Sequence, residues 1–297
     1  MIKVIDTNFL GVSSAIACFL IESDHELILV ETGPSTVYNT LKNHLEGLGY
    51  DIKKIKHVFV THIHLDHSGG AWKFAEHDAK IYVHPNGMAH LIDPSKLIHS
   101  ATKIYKDKMN MLWGEIKNIK KENVQSVEHK EKIKIGNVIV ESLHTPGHAN
   151  HHIAWKIDKN IFTGDVLGAK IKSGPVLPAC PPPEVDIEKW IESLSMIKKE
   201  SPKALYLTHF GKSTNVISHI DEMKKRLENW SLWIKKNRSN NNIEVLTGKF
   251  NKYVNTFLKD EAKINSKLIE QYYTANPPYM SVSGLLRYWD KKNRIKP

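Results

Sequence analysis

Cysteine is scarce in this chain: 297 residues contain two, Cys18 and Cys180. A disulfide framework of the kind that staples small secreted domains is therefore excluded. There is also no run of about 18 apolar residues, so the sequence offers no membrane span. The apolar stretch from Ala15 to Ile21 has the length of a buried strand, and Cys18 falls inside it. The N-terminus, Met1-Ile2-Lys3-Val4-Ile5-Asp6, brings in an acid early and lacks the basic-then-apolar layout of an export signal. Together these absences lead us to expect a cytoplasmic protein that is not membrane-bound. No internal repeat occurs. Nor is there a dense basic block interleaved with aromatics, although the formal net charge is +10. A basic balance can mark nucleic-acid or acidic partners. Here the lysines are spread along the chain, which reads as solvated faces.

What is present is an ordinary globular composition, 41% hydrophobic and 25% charged, enough to bury a sizeable core. Leu27-Ile28-Leu29-Val30 reads as a strand ending in the turn Glu31-Thr32-Gly33-Pro34. Ser35 to Leu48 has helical spacing, with Val37, Leu41 and Leu45 four apart. Val58 to Val60, Ile81 to Val83 and Ala204 to Leu207 read as short strands. Two hairpins are expected, Ile133–Ile135 with Val138–Val140, and Ile153–Ile157 with Asn160–Phe162. β-rich stretches with interspersed helices predict an α+β sandwich, two sheets covered by helices. Ile220, Met223, Leu227, Trp230 and Ile234 share one helical face, with Ser218 as the expected N-cap. A polar linker at residues 237–242 follows. Beyond it come helical segments at Tyr253–Ala262, Ile264–Tyr273 and, after Pro277-Pro278, Ser281–Asp290. We therefore expect a catalytic domain at 1–236 and a small helical unit at 237–297.

The chemistry concentrates in Thr61-His62-Ile63-His64-Leu65-Asp66-His67. Two imidazoles two residues apart cannot share a helical face, but they converge from a loop just after a strand. Asp66 and His67 follow at once, so four ligand-type side chains lie within six residues. Imidazole nitrogen and carboxylate oxygen are zinc ligands and also accept iron or manganese. Three later segments put a further ligand type beside a glycine after an apolar run. These are His144-Thr145-Pro146-Gly147-His148, Thr163-Gly164-Asp165 and Thr208-His209-Phe210-Gly211. Strand ends on one rim of a sheet are where a site can assemble.

The order His-x-His-x-Asp-His, Thr-Pro-Gly-His, Thr-Gly-Asp and a late His resembles the metallo-β-lactamase superfamily, over roughly residues 1–235. The resemblance implies a four-layer αββα sandwich with two metal ions at one edge, most simply zinc, with iron or manganese as alternatives. Carried over by position, His62, His64 and His148 would bind the first metal. Asp66, His67 and His209 would bind the second, and Asp165 would bridge both. A bridging hydroxide would then attack the substrate, and Asp66 would be the catalytic residue that orients it and accepts its proton. Thr208 departs from the glycine many such proteins carry before the late histidine. His152, four residues after His148, is a candidate neighbour of the site, with a buried structural histidine as the alternative. His144 and His151 are expected beside the site or at the surface, and His57, His77, His84, His90 and His99 at the surface.

The superfamily hosts many reactions, so the fold does not choose a substrate. An ester, thioester, lactone or phosphodiester is expected. The motifs fit a glyoxalase II-like branch, whose C-terminal helices carry basic residues; Lys252 or Arg287 could serve. A nuclease acting on RNA or DNA is an alternative, because the segment Val282–Ile295 resembles the end of a winged-helix-like domain. A di-iron redox or oxygen-binding protein is another, although such proteins carry glutamate where His64 stands. A non-enzymatic scaffold is disfavoured by the complete ligand set. The segment from Pro85 to about Lys130 could form a lid, and Pro178–Pro183 a wall of the pocket. The helical C-terminal unit would pack on the sandwich or on a second copy in a homodimer.

Overall fold

The computed structural model describes residues 1–238 and 242–294. The first sheet contains β1 (Ile2–Asp6), β2 (Ala17–Ser23), β3 (Glu26–Val30), β4 (Ile55–Phe59), β5 (Lys80–Val83) and β6 (Val124–Ser126), side by side in that order. The second contains β7 (Lys132–Ile135), β8 (Val138–His144), β9 (Ile153–Ile157), β10 (Asn160–Gly164), β11 (Ala204–Leu207) and β12 (Gly211–Ser213), again in sequence order. Both expected hairpins form, β7–β8 and β9–β10, each antiparallel.

Strand periodicity of two explains how the layers stack. On β2, Ala17, Phe19 and Ile21 enter the core between the sheets, while Cys18 and Leu20 enter the core on the outer face. Likewise Phe162 on β10 points inward and Ile161 outward. The outer face of the first sheet is covered by α1 (Tyr38–Gly47), through Leu41 and Leu45, and by α3 (Ala71–Ala75), which follows the one-turn α2 (Leu65–Ser68). Next come α4 (Pro85–Ile92), α5 (Ser95–Tyr105) and α6 (Met109–Trp113). The outer face of the second sheet is covered by α7 (Ile187–Lys199) and α8 (Val216–Asn237), through Trp190, Leu194, Met223 and Leu227. The result is the αββα sandwich. Fully burying each such large apolar side chain contributes about 1.5–3 kcal/mol.

Helix α8 starts at Val216 behind Asn215, not at Ser218. Val216 is buried, so the apolar stripe runs back past the expected cap, and packing decides the start. Of the expected linker, residues 239–241 lie outside the described residues, as does Ile295. Beyond it are α9 (Ile243–Thr256), α10 (Ser266–Ala275) and α11 (Pro278–Arg294). The expected Tyr253–Ala262 helix is the end of α9 and the π-helical turn Phe257–Glu261 that continues it. Among the described residues no strand follows Ser213. Among those residues no hairpin that would make a wing is formed, and the described part of the C-terminal unit is helical. Phe250, Leu268, Tyr272, Val282 and Leu285 join the same apolar cluster as α7 and α8. No helix among the described residues is long and apolar enough to cross a membrane.

Candidate metal centre

β8 and β9 are antiparallel, β9 and β10 are antiparallel, and β10 and β11 are parallel. The C-terminal ends of β8, β10 and β11 therefore lie at one edge, and His148, Asp165 and His209 follow them. The first sheet reaches the same edge through β4. Ile153 N–H donates to Thr61 O (2.7 Å), and the indole of Trp155 donates to Val60 O (3.1 Å). Two sheets thus deliver the whole sequence-predicted set to one place.

All seven residues converge. Nε2 of His62 lies 2.9 Å from Nδ1 of His64 and 3.2 Å from Nε2 of His148, and those last two are 3.0 Å apart. Alongside, Nε2 of His67 is 3.6 Å from Oδ2 of Asp66, and Nε2 of His209 is 3.5 Å from the same oxygen. Asp165 stands between the clusters. Its Oδ1 lies 3.4 Å from Nε2 of both His67 and His209, and its Oδ2 lies 3.5 Å from Nε2 of His148. Three groups have ligand atoms all within 4.8 Å of one another: His62–His64–His148, His62–His67–Asp165 and Asp66–His67–His209.

Hydrogen bonds behind the rings fix which nitrogen faces inward. Nδ1 of His148 donates to Ala179 O (2.8 Å), and Nδ1 of His209 donates to Ala15 O (2.6 Å). Nδ1 of His67 faces the Glu31 carboxylate at 2.9 Å. The Thr61 hydroxyl donates to Oε1 of Glu31 (2.5 Å), so its oxygen accepts from Nδ1 of His62 (3.0 Å). The Nε2 lone pairs of these four rings are thereby turned toward the centre.

This arrangement fits cations. Burial lowers the pKa of His62 and His64 well below the ordinary histidine value, and lowers that of His148, so three neutral imidazoles turn ring nitrogens toward one another within 3.2 Å. Nε2 of His67 and Oδ1 of Asp165 are buried without a hydrogen-bond partner. Buried orphans of this kind call for an ion. In the second cluster burial works against charge on His67 and His209, yet the neighbouring carboxylates outweigh it and raise both. Burial likewise works against the Asp66 anion, but His67 and His209 prevail and hold its carboxyl down at about 2. Asp66 and His64 are half-buried while the other five residues are buried, so the site opens on their side.

The chain belongs to the metallo-beta-lactamase superfamily. The family model so described matches residues 14–209. A metallo-beta-lactamase fold-containing protein of Sulfurisphaera tokodaii, ST1585, is 30% identical over 183 residues, 60% of this chain and 69% of that protein. The crystal structure of an archaeal superfamily protein, ST1585 from Sulfolobus tokodaii, superposes with a TM-score of 0.69 at 22% identity, covering 96% of this chain and 98% of that one. A superfamily protein from Thermus thermophilus gives 0.66 at 17% identity over 99% and 93%. MEM-A1, a subclass B3 metallo-beta-lactamase from a soil metagenome library, gives 0.56 at 17% identity, covering 77% of this chain and 91% of that one. The first two structures therefore share the C-terminal helices as well as the sandwich.

Within this superfamily fold, the other histidines sort by their bonds. His152 does not face the centre. Its Nε2 accepts from Asp165 N–H (3.2 Å) and its Nδ1 donates to the Thr145 hydroxyl (2.8 Å), so it holds the backbone of Asp165. His151 stacks beside His62 at 6.1 Å, with Glu184 at 3.5 Å on its outer side. His144 donates to Val127 O (2.8 Å). His84 is buried instead of exposed, because its Nδ1 caps α4 by accepting from Asn86 N–H (3.0 Å). Thr208 donates to Oε1 of Glu31 (3.2 Å), which is what its hydroxyl adds where a glycine would offer none. Sequence reasoning assigned Glu31 to a turn and missed its role. The available signal was an acid ending a buried strand. Tyr105 was read only as part of a lid. Burial, then the nearby charge of Asp66, raise its phenol pKa.

Proposed function

We propose that this protein is a dinuclear metal-dependent hydrolase in which His62, His64 and His148 hold one cation, Asp66, His67 and His209 the other, and Asp165 both. The observation that carries the reading is Asp165: one carboxylate presents separate oxygens to the two clusters. Bound divalent cations, zinc in the first instance, polarise a carbonyl or phosphoryl oxygen and make a water acidic enough to react near neutral pH. The chain's own contribution is geometric. Glu31, Ala15 O and Ala179 O lock three imidazoles in place, and Asp165 and the buried rings exclude bulk water. Asp66, an anion at the opening, turns Oδ2 toward His67 and His209, which leaves its other oxygen to accept a proton.

For the substrate we favour an ester, thioester or lactone carrying an apolar group. Leu65, between His64 and Asp66, lines a small cavity with Leu97 of α5 and Ile116. Trp113 of α6 stacks on Phe9 (5.8 Å) and meets Tyr105 edge-on (5.0 Å). Leu10, Ile104 and Met111 on the same segments, and Tyr279 on α11, are exposed. An apolar rim of this kind suits an acyl chain. A second reading, phosphodiester cleavage, is favoured by exposed Lys103, Lys106 and Lys108 on the same lid.

The test is metal analysis followed by a hydrolysis screen of metal-replete protein over esters of increasing chain length, thioesters, lactones, β-lactams, bis(p-nitrophenyl) phosphate and RNA. We expect about two metals per chain, acyl-ester activity that rises with chain length, and loss of that activity in His62→Ala. A metal-free protein, or activity that survives His62→Ala, would overturn the proposal. Activity on the diester or RNA alone would select the second reading.

A further inference from the structure

The C-terminal helices touch the two loops whose carbonyls hold His148 and His209. His148 depends on Ala179 O. On one side of Ala179, the Asn276 side-chain amide at the end of α10 donates to Pro178 O (3.0 Å) and Leu177 O (3.4 Å). On the other, Cys180 N–H donates to Oγ of Ser281 on α11 (3.1 Å). Gly284, one turn on, lets α11 come so close that an added Cβ would collide with Cys180 O. His209 depends on Ala15 O. Two residues before Ala15, the Gln271 side chain of α10 donates to Ser13 O (2.8 Å) and Ser13 Oγ (3.1 Å). Gln271, Asn276 and Ser281 are all buried, although buried polar side chains are costly unless bonded. Three such side chains on one helical pair, aimed at two separate loops, exceed what packing that pair on the sandwich requires.

We propose that α10 and α11 form a positioning clamp on the metal centre: Gln271 sets the His209 ring through the Ser13–Ala15 turn, and Asn276 with Ser281 sets the His148 ring through Ala179. The inference rests on the dinuclear reading above. It makes the helical unit a part of the site that reaches each cluster by a different arm. The residues themselves touch neither metal nor substrate, so they are positioning residues.

The two arms predict separable effects. Replacing a partner directly behind a metal-ligating histidine typically weakens metal binding 10–100-fold; one bond further back, we expect about tenfold. The experiment titrates zinc against a chelator in the full chain and reads two stepwise affinities, with the melting temperature of the metal-free protein alongside. Gln271→Met should weaken one step about tenfold and Ser281→Ala the other, while exposed Lys267→Ala on α10 changes neither. Gln271→Asn, which keeps the amide and shortens its reach, serves where the methionine variant does not fold. In a His209→Ala background Gln271→Met should have no further effect on affinity, whereas Ser281→Ala should keep its own. A wild type that binds no zinc overturns the dinuclear reading and the clamp with it. Two zinc ions bound with unchanged affinities in Gln271→Met, Gln271→Asn and Ser281→Ala overturn the clamp alone, even where the melting temperature falls. Equal weakening of both steps by either variant overturns the two separate arms.

Discussion

Glu31 reaches the site from three sides. Its carboxylate faces His67 at 2.9 Å and accepts from the hydroxyls of Thr61 (2.5 Å) and Thr208 (3.2 Å). A buried anion of this kind is retained because every neighbour bonds it. We expect Glu31→Gln to keep the fold and lower metal affinity about 10–100-fold, read by chelator competition. Asp66 is placed differently, with its oxygens at the opening. Asp66→Asn should lower turnover by about two to four orders of magnitude, the range of a positioned proton acceptor, and reduce binding at the His67–His209 cluster. Full activity together with full metal content in that variant would remove Asp66 from the mechanism.

Among the elements, the end of β10 is tightly constrained. Gly164 has φ +48°, and a Cβ there would meet Oγ1 of Thr61 at 2.5 Å and Nε2 of His152 at 2.7 Å. Neither neighbour can retreat, because Thr61 is bonded to Glu31 and His152 to Thr145. Gly164→Ala should therefore cost more than about 1 kcal/mol. It should also displace Asp165 and lower metal content, seen as an earlier urea midpoint and a stoichiometry below that of the wild type. Helices α5 and α6 and the loop at Phe9 are tied through Trp113. That link was beyond sequence reading, since no local pattern relates residues so far apart along the chain.

At the scale of the whole molecule, the proposed metals and pH should both act on stability. A ligand present at 1,000 times its dissociation constant adds about 4 kcal/mol. Chelation should thus lower the melting temperature by roughly 8 °C for a chain of this size. His219 on α8 is buried and donates from Nε2 to Leu167 O (2.9 Å); burial holds its pKa at about 4. The unfolded chain binds a proton at this residue near pH 6.5, so between about 6.5 and 4 it takes up more protons than the folded one. Stability is therefore lost as pH falls through that window, by up to about 1.4 kcal/mol per pH unit for this group. In metal-free protein, His219→Gln should flatten the decline of melting temperature with acid relative to wild type. Identical slopes would show that His219 does not carry it.

The two-sheet sandwich, both hairpins and the convergence of His62, His64, Asp66, His67, His148, Asp165 and His209 were legible in the sequence. Alternation of apolar side chains has a period that a single segment displays. Each of these residues follows a strand end that its own local pattern marks. The family match over residues 14–209 has the same origin, since the motifs that define it are local. Tertiary structure decided what has no local signature. Ala15 and Ala179 act through backbone carbonyls, which every residue owns, so no side chain announces them. Glu31 resembled a turn residue until the fold brought Thr61, His67 and Thr208 around it. His84 resembled a surface histidine until it capped a buried helix end. The C-terminal helices read as an appendage because Gln271 and Ser13 are 258 residues apart, and only packing brings an amide on α10 behind the loop that holds His209.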